Sequence, residues 1–169
     1  MFNKMTKIYK QIVTEEERKI EIDEITLLSV EEYETYQNAI PKIDSWWWLR
    51  SPGACIVANA ADVDNDGLIH TISVTSDDGV RPVLRIKNHE SFDLKIRDKF
   101  RLAGYMWTMI EDGLALCDDV VGNCAFRKNW KAQDANIYEK SDIKKWLENW
   151  ANENGIERKD DDGQSIYAE

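Results

Sequence analysis

The sequence predicts an α+β domain, with a mostly antiparallel sheet of short strands and hairpins and two helices. Three observations lead to it. Two segments carry helix signatures, one opened by a capping box and one amphipathic. About seven short runs rich in β-type residues are punctuated by Asp-Gly turns. No regular alternation of strand and helix marks parallel βαβ units.

Residues 1–21 read as a polar arm, basic at first and then acidic. A β-type run over 22–28 follows, ending at Ser29, which forms an S-x-x-E capping box with Glu32. Leu28 and Tyr33 hold the two positions of a hydrophobic staple, and the helix runs to about Asn38, stopping before Pro41. Next come Trp46, Trp47 and Trp48 with Leu49, Arg50 and a Pro-Gly turn. Three consecutive indoles cannot share one side of a strand, so at least one points away from the main core or covers its rim. Residues 54–63 read as a strand and Asp64-Asn65-Asp66-Gly67 as a tight turn. The return strand puts Leu68, His70, Ile72 and Val74 on one face and Ile69, Thr71 and Ser73 on the other. Asp77-Asp78-Gly79 reads as a second turn into a single strand over 80–86, with Pro82 near its start. After a polar break, residues 92–96 (FDLKI) alternate as a further strand, and 105–110 and 114–121 continue the β pattern around Asp112-Gly113. The clearest helix starts at Ser141, sets Ile143, Trp146, Leu147 and Trp150 on one face, and stops near Gly155. Residues 22–155 are therefore expected to form one domain, and 156–169 a polar acidic tail.

A hydrophobic share of 43 % with seven Trp can bury a core, and no apolar run is long enough to span a membrane. The N-terminal residues lack the apolar region of a secretory signal. Cys55, Cys117 and Cys124 are odd in number and lack zinc-ligand spacing, which points to reduced thiols and a cytoplasmic protein. The net charge of −10 is the opposite of the basic footprint that direct nucleic-acid binding requires. An acidic surface either keeps the chain soluble or engages a basic partner, such as a nucleic-acid-binding enzyme. The charge is concentrated over 14–34, where nine acids, among them Glu15, Glu16, Glu17 and Glu24, face only Arg18 and Lys19.

Asp62, Asp64 and Asp66 open like a calcium loop, but the position needing a bidentate acid is Ser73 and the flanks read as strands. A hairpin turn explains the same residues, and no metal or other cofactor is expected. His70 and His89 are the only histidines, and no phosphate loop, hydrolase elbow or zinc-protease motif is present, so catalysis is not expected. Trp46 to Trp48 and Arg50 admit two readings, a core anchor or an exposed interface. The candidate binding residues are Trp46, Arg50, Asp62, Asp64, Asp66, His70, Asp77 and Asp78, together with Glu15, Glu16, Glu17 and Glu24.

The strings LLSVEEYETY, WWLRSPG, ADVDNDGLI and DDGVRPVLRI resemble an uncharacterised family of bacterial and phage proteins. Trp47 to Gly53 match its first motif, and Gly79, Val80, Arg81 and Pro82 its second. That family is similar to C-type-lectin-like domains, including retroelement-diversified variable proteins. The resemblance implies a lectin-like fold with a display surface over 54–79. Residues 105–110 and 141–147 look like pieces that precede the first motif in the family, so the order is expected to be permuted, with Trp107 and Trp146 in the core of Trp47 or Trp48. The resemblance implies a protein-binding module of phage or mobile-element origin. The alternatives are an acidic phage-encoded inhibitor, of anti-CRISPR or other anti-defence type, that blocks a basic nucleic-acid-handling enzyme, and an enzyme of unknown reaction. Monomer and oligomer both stay open.

Overall fold

The computed structural model of the chain describes residues 20–156. They form ten strands in two five-stranded sheets, with two helices. The first sheet runs β1 (Ile22–Thr26), β6 (Val83–Ile86), β9 (Leu114–Cys117), β8 (Tyr105–Glu111) and β7 (Lys99–Leu102), with every neighbour antiparallel. The second runs β10 (Gly122–Cys124), β5 (Asp78–Val80), β2 (Trp47–Pro52), β3 (Asn59–Val63) and β4 (Ile69–Ser73), and only β2 and β5 pair in parallel. Helix α1 (Val30–Tyr36) and helix α2 (Asp142–Glu153) complete an α+β architecture of short, mostly antiparallel strands.

Helix α1 starts where its local chemistry demands. The Ser29 hydroxyl accepts from the Glu32 N–H at 3.1 Å, and the Glu32 carboxylate accepts from the Ser29 N–H at 3.0 Å. Leu28 and Tyr33 are buried in one cluster, and a 3-10 turn at Gln37–Ala39 ends the element ahead of Pro41. Helix α2 opens on Ser141, whose hydroxyl accepts from the Lys144 N–H at 3.1 Å, and Gly155 at φ 73° closes it. Ile143, Leu147 and Trp150 are buried, and Trp146 lies half-buried against Gly122. A Cβ on Gly122 would stand 2.6 Å from the Trp146 ring, so only glycine lets α2 come this close to β10.

The strands β2, β6 and β9 bury both faces. Along β2, Trp47 and Leu49 join Tyr33 in one cluster while Trp48 joins Phe126 and the α2 residues Ile143 and Leu147 in another. In β6 and β9, Val83, Leu114 and Leu116 face the first cluster, and Leu84, Ala115 and Cys117 the second. Trp107 and Trp146 pack in the cluster of Trp48, as expected, and Trp46 is left at 42 % exposure.

The strand boundaries differ from expectation in several places, and the run expected over 114–121 stops at Cys117, with residues 118–121 leading to β10 in the other sheet. Residues 54–58 are loop, and β3 begins at Asn59. The turn into β5 lies earlier than expected, because Asp78 and Gly79 are already strand; it is closed by the Ser76 N–H on the Ser73 carbonyl at 3.0 Å. The expected strand over 80–86 is two strands in different sheets. Pro82 has no N–H for a ladder, and Arg81 turns its side chain into the interior, so the chain crosses between sheets there. Residues 92–96 form no strand. Phe92 is buried, but the Lys95 N–H bonds the Asp98 carboxylate at 2.9 Å and Arg97 sits at φ 77°, so the segment turns, and β7 starts after it. Among the described residues, no helix is long and apolar enough to cross a membrane.

Candidate functional site

The β3–β4 hairpin builds the site. Asp64 Oδ1 accepts from the N–H groups of Asp66 at 2.8 Å and Leu68 at 2.9 Å, and Gly67 takes φ 85° to complete the turn. The Tyr33 hydroxyl reaches from α1 and donates to the Gly67 carbonyl at 2.6 Å, which fixes the hairpin tip. Asp64 Oδ2 lies 2.6 Å from His70 Nε2 on the return strand. The Leu68 N–H holds the Asp64 carboxyl below the usual range, helped by His70 and the Asp66 N–H against the opposing effect of burial.

The three calcium-like acids do not converge. Asp64 is taken up by the turn, Asp66 is exposed, and Asp62 is buried on the sheet face it shares with its ladder partner His70. The hairpin expected from this string is what the chain forms. Ser73 bonds Thr75 at 2.9 Å, and among the described residues no group of three or more His, Cys, Asp or Glu could hold a metal.

On the outer side, the Trp46 and His70 rings lie 5.4 Å apart with a 33° tilt. Two tethers place Trp46 there. The Gly79 N–H donates to the Trp46 carbonyl at 3.1 Å, and the Asn65 amide donates to Asp44 at 3.5 Å. Leu68 is 61 % exposed beside the hairpin tip. The structure thus gathers Trp46, Asp64, Asp66 and His70 around one rim, with Asp77 and Asp78 leading into the adjacent β5. Asp62 and Asp78 lie close together. Neither Asp62 oxygen has a donor, nor does Oδ2 of Asp78, and burial, then Asp78, then Asp64 push the Asp62 carboxyl up to about 8.

Other expected residues go elsewhere. Arg50 donates to the Leu27 carbonyl at 2.6 Å and to Glu32, which ties β2 to the start of α1. Glu24 on β1 pairs with Arg85 at 3.2 Å, and Arg85 also bonds Glu32 at 2.7 Å. Glu15, Glu16 and Glu17 lie outside the described residues. The three cysteines are free thiols, with burial pushing Cys117 and Cys124 up to about 12.

Sequence reasoning missed one feature. A shallow cavity lies between α1 and β2, lined by Tyr33, Pro41, Lys42, Trp47, Asp64 and Arg81. Arg81 is 1 % exposed and sits over the Trp47 ring at 4.8 Å. Its signal was the Arg-Pro motif, read as a mark of resemblance rather than as a buried cation. Desolvation lowers its pKa to about 10, which leaves it charged at neutral pH.

Residues 9–88 match the model of a family described as a domain of unknown function (DUF6273). That span contains α1, β1 to β6 and the whole Trp46–His70 rim, and stops before β7 to β10 and α2. No curated protein and no solved structure matches the chain.

Proposed function

We propose that this chain is a non-catalytic protein-binding module of C-type-lectin-like fold, which takes a basic segment of a partner protein on the rim around Trp46 and His70. The observation that carries the reading is Trp46, left 42 % exposed while Trp47 and Trp48 beside it are buried. An indole kept at a surface and packed at a tilt against the His70 ring, in a chain with exposed Asp66 and Asp77 at the turns on either side of β4, suits an Arg or Lys side chain through cation–π and charge attraction. Burial keeps the Cys117 and Cys124 thiols neutral and seals the Asp62 carboxyl from solvent, so none of these three serves as nucleophile or base.

A second reading is an acidic inhibitor, encoded by a phage or mobile element, that blocks a basic nucleic-acid-handling enzyme. The net charge of −10, with Glu15, Glu16 and Glu17 in one run, favours it. Calorimetry and stopped-flow association at several salt concentrations, with a panel of Arg- and Lys-rich peptides, separate the two. Under the first reading, Trp46→Ala weakens binding by about tenfold or more, and reversing Glu15, Glu16, Glu17 and Glu24 to Lys changes it little. Under the second, the reversal slows association and removes its salt dependence, and Trp46→Ala binds normally. Peptide binding that neither variant alters would remove both.

A further inference from the structure

Asp62 is the member of the hairpin that the outer rim does not use. It is 0 % exposed, and both its oxygens lack a donor, as does the buried Oδ2 of Asp78. The two residues come from β3 and β5, the strands on either side of β2, and the Asp78 carboxyl lies close enough to Asp62 to act on it by hydrogen bonding and charge. Two ionised carboxylates there would be acceptors facing acceptors, each desolvated and repelling the other. One proton between them supplies the missing donor and removes one charge.

The surroundings offer no other remedy. On β3, Asp64 adds negative charge and is itself committed to the turn. His70 on β4 stands opposite Asp62 in the ladder, but its ring is turned to Asp64. Asp77 precedes β5, and Cys124 on β10 pairs with Asp78 in register, its thiol kept neutral by burial and by Asp77, with Asp142 adding to this and Lys128 opposing it.

We propose that Asp62 and Asp78 hold one proton between them, and that its loss loosens β3 and β5 beneath the Trp46–His70 rim. This is independent of what the rim binds. From the ordinary carboxyl range up to about pH 8, this pair gives the folded chain one proton that its unfolded counterpart lacks. Stability therefore falls as pH rises across that window, by about tenfold in the folding equilibrium constant per pH unit.

Urea unfolding of the full chain from pH 5 to 9, with carbon-detected NMR of the Asp carboxyls, tests this. The wild type should lose stability steadily up to about pH 8, one carboxyl should titrate near there, and protection factors of β3 and β5 amides should fall with it. Asp62→Asn, whose amide can donate to Asp78, should flatten the profile. A flat wild-type profile with no carboxyl titrating above pH 6 would overturn the proposal. So would stabilisation by millimolar calcium at pH 8 that is lost in Asp62→Asn, since the pair would then be a cation site. Should Asp62→Asn fail to fold, the wild-type titration and Asp78→Asn decide the matter.

Discussion

Arg81 donates Nε to the Cys117 carbonyl at 2.8 Å and Nη2 to the carbonyls of Pro41 at 2.8 Å and Asp118 at 3.0 Å. These acceptors belong to the loop after α1, the end of β9 and the segment after it, so one side chain pins three pieces of chain at the crossing between sheets. Arg81→Leu should cost roughly 3–5 kcal/mol, read as a lower urea midpoint, because it strands the carbonyls and empties the space over Trp47. Arg81→Lys should recover little of this, since a single ammonium cannot occupy both the Nε and Nη2 positions. The alternation over 67–74 and the three adjacent indoles offered Trp46 and His70 as binding candidates, without showing that their rings meet. They could not bring Asp62 to Asp78, because that meeting depends on which strands flank β2, and nothing local in the sequence specifies it.

Among the elements, α1 rests on its first turn. Burial alone would raise the Glu32 carboxyl, but the Ser29 N–H, Arg50 and Arg85 together hold it below its ordinary range. Glu32 thus serves the capping box and two arginines from β2 and β6. Ser29→Ala should lower stability by about 1 kcal/mol in urea unfolding, and Ser29→Asp should retain most of it. Both helices were legible in the sequence because a cap and an apolar stripe act within a few residues. The strands were less so. The FDLKI alternation has a strand's period, yet the Asp98 turn and the left-handed Arg97 win there. The break at Arg81–Pro82 is a tertiary decision, visible only once two sheets exist to cross between.

At the scale of the whole molecule, β2, β6 and β9 are covered on both faces, which is why WWWL reads as an apolar block rather than as a one-sided strand. The ladders differ in reach. The β3–β4, β7–β8 and β8–β9 pairs join neighbours across short turns, whereas β1–β6 brings Ile22 to Ile86, and the Trp48 indole donates to the Cys124 carbonyl at 2.9 Å. That difference sets a folding order. Closing a long loop spends chain entropy before it gains contacts, so the hairpins should form early and β1 should dock late. In stopped-flow experiments, Met109→Ala in β8 should slow folding, while Ile25→Ala in β1 should mainly speed unfolding. Until β1 arrives, β6 presents an unpaired edge to any chain nearby, so refolding yield should fall as protein concentration rises.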